Sequence, residues 1–169
     1  MSVTLPIETE RLLIRSFDAE ADSAPMLGVY GDPEVMRFIL GGALADVEAV
    51  KALLDGYADA HRSFGFSSWG VVERASDSLI GDVGFAIFEP TGDIELGYTL
   101  ARSHWGHGYA TEAASACLAA GLAQLSAERI IAVVDEANES SLCVADRIGM
   151  RRVSVISAHG RPHVLCAAK

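Results

Sequence analysis

Apolar residues first gather in Arg11–Phe17, a short run bounded by charge that predicts a β-strand. Helix-start chemistry follows, with Ser23 placed to cap and Pro25 at a first-turn position. Asp32-Pro33-Glu34 repeats that logic before a short helix predicted to run through Phe38, and Gly41-Gly42 breaks it. Asp46 caps a longer helix whose Val47, Val50, Leu54, Tyr57 and His61 recur along one stripe. From Phe66 the period changes. Ser67–Glu73, Leu79–Phe88 and Asp93–Leu100 read as strands, and the turn-rich connections between them are short enough to favour antiparallel pairing. A helix opens at Gly108 and reaches Leu125, its apolar face set by Ala110, Ala113, Ala114, Cys117, Leu118, Gly121 and Leu125. Arg129–Val134 has the continuous apolar character of a buried strand. Ser140–Ile148 is a short helix stopped by Gly149, and Val153–Ser157 with His163–Ala167 closes the chain as a hairpin around Gly160. Strand, helices, three strands, helix, strand, helix, two strands: this order specifies a mixed α/β (α+β) sheet covered by helices.

Composition narrows the class. At 169 residues, half of them hydrophobic, the chain is expected to form one domain over 1–169 with a real core, and disorder is excluded. No apolar run approaches the ~18 residues of a membrane span, and the start Met1-Ser2-Val3-Thr4 lacks the basic, apolar pattern of a signal peptide. Cys117, Cys143 and Cys166 are odd in number and far apart, with no Cys-x-x-Cys pair, so they read as reduced thiols of a cytoplasmic protein. Cys117 and Cys143 fall on apolar helix faces and read as core. The net charge of −10 argues against general nucleic-acid binding, which needs a basic face. It suits a cationic partner, and plain acidic solubility explains it equally well.

The densest chemical signal is Trp105-Gly106-His107-Gly108-Tyr109-Ala110-Thr111-Glu112-Ala113, between the strand ending at Leu100 and the helix from Gly108. A glycine-bracketed turn there leaves backbone N–H groups unpaired at the positive end of a helix dipole. That is a seat for an anion such as a pyrophosphate. The ordinary alternative is a plain strand-to-helix turn. A dinucleotide-binding oxidoreductase fails as a reading, because the third glycine and the ribose-binding acid are not evident. His104 and His107 lie three apart across a glycine turn without a matching ligand set, so no metal is expected.

Four blocks carry a family resemblance: Thr9-Glu10-Arg11-Leu12, Asp32-Pro33-Glu34-Val35-Met36, Glu95-Leu96-Gly97-Tyr98 with 105–113, and Asn138-Glu139-Ser140-Ser141 ending in Arg147-Ile148-Gly149-Met150. In this order and spacing the chain resembles the GNAT superfamily of N-acetyltransferases, nearest its RimJ/RimL-type branch of ribosomal-protein N-terminal acetyltransferases. The resemblance implies a GNAT-like fold, a central mostly antiparallel sheet with helices on both faces. It also implies acetyl-CoA as co-substrate and an amine acceptor, either a protein N-terminus or a small molecule, in a monomer or homodimer. There are departures. Ser103 stands where the superfamily has Gln or Arg, His107 stands where Lys, Arg or Gln is common, and Arg102 or a protonated His107 is the candidate replacement charge. Ala145 occupies the place of a frequent Tyr acid, and Ser141 that of the branch's Ser near the sulfur.

On this resemblance, Gly106, His107, Gly108, Tyr109, Ala110 and Thr111 would hold the pyrophosphate. Gly97 would mark a bulge splaying its strand, freeing backbone N–H groups near Tyr98 to Leu100 for the pantetheine and the acetyl carbonyl; a packing glycine is the alternative. Asn138 would hydrogen-bond the pantetheine arm or simply flank a helix. Ser141 would donate to the departing sulfur, with Ser140 or Ser141 as the helix cap. Glu95 leads as general base, with Asp82 and Glu73 as rivals and a cross-strand charge partner as its bland role. Trp69, Phe38, Phe64 and Phe66 line the acceptor pocket or belong to an aromatic core. The competing function is a non-catalytic acyl-CoA-binding module.

Overall fold

The computed structural model describes residues 1–169. The elements in chain order are β1 (Ile7–Glu8), β2 (Leu12–Arg15), α1 (Ala19–Tyr30), α2 (Val47–Phe64), β3 (Ser68–Glu73), β4 (Ser78–Phe88), β5 (Asp93–Leu100), α3 (Tyr109–Gln124), β6 (Ile130–Asp135), α4 (Glu139–Arg147), β7 (Arg151–Ala158) and β8 (Arg161–Ala168). The strands form one eight-stranded sheet in the order β1-β2-β3-β4-β5-β6-β8-β7. Every pairing is antiparallel except β5–β6, which needs a crossover, and α3 supplies it. That parallel pairing lasts for only two residue pairs, Ile94↔Ile130 and Glu95↔Ile131. β6 continues to Asp135 on β8, so beyond Glu95 the sheet splits between β5 and β6.

Two cores flank the sheet. The larger holds Trp69, Val83, Phe85, Leu96 and Leu100 against Ala113, Ala114, Cys117 and Leu118 of α3 and Leu142 and Ala145 of α4. The smaller packs Met26, Val29 and Tyr30 of α1 against Val50 and Leu54 of α2. Full burial of Val50 and Leu54 contributes roughly 1.5–3 kcal/mol each, and this seats Tyr57 one turn further along α2. On α3 the small residues bring the helix close to the sheet. A Cβ at Gly121 would sit 2.5 Å from the Phe85 ring, so only glycine permits this approach.

Several expectations need correction. α1 starts at Ala19, capped by Asp18, whose carboxylate accepts from the N–H groups of Glu20 and Ala21. Ser23 is therefore buried mid-helix and Pro25 lies inside the helix. The earlier start prevails because Asp22, clamped by Arg15 at 2.7 and 2.9 Å, also accepts the Asp18 N–H. Residues 32–40 form successive turns instead of a helix: one helical bond, Met36 N–H to Asp32 O, closes, and the next, Ile39 N–H to Met36 O, is a tighter three-residue turn. The two-residue β1 is too short to show a period. Cys143 is exposed, while Cys117 is buried as expected.

Candidate active site

The split in the sheet opens into a cavity of about 770 Å³ reaching from the loop before α3 to the turns at 34–40. Its first wall is the start of α3. Gly106 and Gly108 sit at φ +76° and +80°, a left-handed geometry that a side chain rarely adopts, and both line the cavity with Tyr109, Ala110 and Thr111. α1, α2 and α4 are capped by the side chains of Asp18, Asp46 and Asn138, whereas α3 has no side-chain cap. Its first N–H groups thus face the cavity without a protein acceptor, at the positive end of the dipole.

The expected replacement charges are placed elsewhere. Arg102 pairs with Asp32 at 3.3 Å, away from the cavity lining. His107 stacks on Tyr109. The cation that does meet the loop is Arg11, just before β2 and 96 residues ahead of His107 in the chain. Its Nη1 donates to the His107 carbonyl at 2.9 Å, its Nε to Glu112 at 2.7 Å, and its guanidinium lies 4.5 Å from the Tyr109 ring centre. Glu73 accepts from Tyr109 and Ser76, and these bonds hold its carboxyl below the usual range; it does not line the cavity.

The second wall is β5. Its ladder with β4 runs through Gly84↔Gly97 without a register shift, so Gly97 is not a bulge in that ladder. The opening comes from β6 leaving, not from an extra residue in β5. Gly97 is not a packing glycine either, since a Cβ there would meet nothing within 4 Å. Ala101 N–H bonds back to Ile80 on the β4 side. Strand alternation then turns the N–H groups of Tyr98 and Leu100 towards the open edge. Trp105 Nε1 takes the Leu100 carbonyl there at 2.8 Å, tying the loop to the strand.

Side chains of β5 alternate too. Leu96, Tyr98 and Leu100 face α3 and α4, while Glu95, Gly97 and Thr99 face the other way. Tyr98 reaches α4: its hydroxyl donates to the Ser141 carbonyl at 2.9 Å, and Ser141 Oγ donates to Tyr98 Oη at 3.0 Å. Burial pushes the Tyr98 phenol up to about 12, so it remains a neutral donor. The pattern along the chain points only to the Tyr98 backbone; its hydroxyl acquires a role through the contact with Ser141, 43 residues away. Asn138 is the α4 cap, its Oδ1 accepting from Ser141 N–H at 3.2 Å and Ser140 Oγ at 3.0 Å. That occupies the carbonyl end and leaves the amide NH₂ end towards the cavity it lines.

On the opposite face Glu95 is largely enclosed. Burial raises its carboxyl above the ordinary range, against the pull of the Val133 N–H and of His163. Asp82, opposite Thr99, is 4% exposed, and burial pushes it up to about 6. Of the aromatic candidates only Phe38 lines the cavity. Trp69 and Phe66 are core, and Phe64 is exposed on another surface. No three His, Cys, Asp or Glu side chains gather as a metal set, and no helix is long and apolar enough to cross a membrane.

Residues 11–151 match the acetyltransferase (GNAT) domain family. The chain belongs to that family, and it is an acyltransferase. It is 30% identical to the uncharacterized protein YkkB of Bacillus subtilis (strain 168), over 96% of this chain and 94% of that one. Among solved structures, the GNAT-family acetyltransferase from Bacillus anthracis superposes with a TM-score of 0.81 at 26% identity, covering 96% of both chains. The ribosomal L7/L12 α-N-protein acetyltransferase RimL, solved in complex with coenzyme A, superposes with a TM-score of 0.80 at 16% identity, again over 96% of both chains, and shares the fold.

Proposed function

We propose that this chain is an acetyl-CoA-dependent N-acetyltransferase of the RimJ/RimL type, acting as one domain on a primary amine. The observation that carries this reading is the convergence on one cavity of the uncapped α3 N-terminus, the open edge of β5, and Glu95 and Ser141 on opposite faces of that strand. In this reading the N–H groups at 106–111 hold the pyrophosphate, with Arg11 bracing the loop. Asn138 and the N–H groups of Tyr98 and Leu100 hold the pantetheine arm and polarise the acetyl carbonyl. The amine nitrogen bonds to the carbonyl carbon and the carbon–sulfur bond breaks. Glu95 accepts the amine proton, directly or through water, and the Ser141 hydroxyl turns from Tyr98 Oη to donate a hydrogen bond to the departing sulfur. Glu95 suits the role because burial keeps its carboxylate basic. A thioester passing through the split sheet would meet its nucleophile on one face and its leaving-group donor on the other.

The test combines calorimetry with turnover. CoA should bind the wild type, and Gly108→Val, which strains a residue at φ +80° and fills the loop, should abolish that binding while the folded circular-dichroism signature survives. Acetyl-CoA with a panel of amines should release free thiol and form amide. Unchanged CoA affinity in a folded Gly108→Val protein removes the loop from the site. CoA binding without turnover on any amine makes the chain a binding module instead.

A further inference from the structure

Asp82 is a buried carboxyl in the cavity that the proposed chemistry leaves without work and that no cation of the protein meets. It is 4% exposed and lines the cavity floor, and its Oδ1 makes no hydrogen bond. Around it stand the hydroxyls of Tyr30 from α1, Tyr57 from α2, Ser68 from β3 and Thr99 from β5, and the buried Tyr30 hydroxyl is itself without a partner. The groups that offset its burial are hydroxyls and a backbone N–H, none of them a cation. A carboxyl buried without a cation, one of its oxygens unbonded, is costly unless something brought from outside completes it.

Register locates the group. Asp82 pairs with Thr99 and Ala86 with Glu95, so the two carboxylates mark the ends of one stretch of the same sheet face, with Gly97 between them. Gly97 leaves this stretch bare, and nothing in the protein fills the space a Cβ would take. From Gly97 to Thr99 is two residues, roughly 7 Å at the usual strand rise, which is the reach of a short alkyl diamine. Ser141 lies on the opposite side of β5, out of line with Asp82.

We propose that Asp82 is the acceptor-recognition residue, binding the distal ammonium of a small diamine whose proximal amine is acetylated above Gly97. This rests on the acetyltransferase reading and names its substrate class. The distal ammonium donates to Asp82 Oδ1 and to the surrounding hydroxyls, while the proximal amine stays within reach of Glu95. A mono-amine of equal length fills the same space but leaves the carboxyl unpaired.

The probes are putrescine and its mono-amine counterpart butylamine, titrated calorimetrically into protein saturated with CoA and then compared as acceptors of acetyl-CoA. The wild type should bind putrescine at least tenfold more tightly than butylamine. Asp82→Asn, which keeps the shape and removes the charge, should erase that preference, raise KM for putrescine at least tenfold with a smaller change in kcat, and leave CoA affinity intact. Equal affinity of the wild type for the two amines overturns the proposal without any variant, as does a preference that survives Asp82→Asn. A peptide N-terminus accepted equally well by wild type and variant, in place of putrescine, also overturns it. Failure of CoA itself to bind strikes the acetyltransferase reading instead, so the two failures are distinguishable.

Discussion

The two faces of β5 are built to opposite rules. On the α3–α4 side Leu96 and Leu100 are buried hydrocarbon, and the one polar group, the Tyr98 hydroxyl, both gives and receives a hydrogen bond with Ser141. On the other side Glu95, Gly97 and Thr99 offer a half-buried carboxylate, a bare glycine and a hydroxyl beside Asp82, whose Oδ1 no bond within the protein satisfies. A saturated face is what folding alone produces. An unsatisfied one, next to a cavity, carries the imprint of a ligand. In the proposed reading, substrate selection falls to the α1–α2 side and positioning to the other.

The sharpest break in this contrast is Glu95→Gln. Loss of a general base typically costs 10²–10⁴-fold, so kcat/KM for the amine should fall by roughly that range with CoA binding intact. Because burial raises the Glu95 carboxyl, the acid limb of the wild-type pH–rate profile should lie above the range of an ordinary glutamate, the rate rising as Glu95 deprotonates. The glutamine variant should lose that limb. An unchanged limb and rate make Glu95 a structural carboxylate.

Ser141→Ala tests the saturated face. Removing one well-placed donor costs about 2–4 kcal/mol of transition-state stabilisation, or roughly 30- to 1,000-fold in kcat. The α4 cap survives the change, because Asn138 bonds to the Ser141 backbone and not to its hydroxyl. CoA affinity should therefore hold while kcat falls. If Tyr98→Phe gives the larger loss of kcat, the phenol is the donor that faces the sulfur and Ser141 only orients it.

How far each face was legible in sequence follows from the same distinction. Apolar runs bounded by turn residues placed β3, β4 and β5 to within a residue, because β3 and most of β4 are buried on both faces and the chain turns at exposed polar residues between them. The glycine loop was legible because its chemistry is backbone chemistry, local in the chain. Asp82 appeared only as a rival base, since its meaning depends on Tyr30 and Tyr57, which helices distant in sequence bring to it. Arg11 was likewise hidden, its partners His107 and Glu112 being about a hundred residues away. The split beside Gly97 arises from where β6 stops pairing, and no local period records that. At α1, Asp18 takes the cap in place of Ser23, because the contact of Arg15 with Asp22 fixes the earlier start.

The smallest effect concerns stability and isolates the unsatisfied face from catalysis altogether. Tyr30 and Tyr57 are the titratable groups packed on Asp82 from α1 and α2, and Cys117 of α3 lies on the other side of the sheet; burial raises all three as well, so they stay neutral through the window of interest. Asp82 itself rises from 3.8 to about 6 in the fold. A raised carboxyl keeps its proton in the native state after the unfolded chain has lost it. The stability this proton provides is complete below about pH 3.8 and is lost as pH rises through about 6. At about 1.4 kcal/mol per unit, the fold should be destabilised by on the order of 3 kcal/mol at neutral pH relative to pH 4. Asp82→Asn has no such proton to lose. Denaturant melts at pH 4 and pH 7.5 should therefore show the variant gaining on the wild type as pH rises, by up to that amount. A carboxylate kept for the fold would give the reverse, a variant weaker at neutral pH. A more stable protein that has lost its choice of amine is the signature of a group held in place for its ligand.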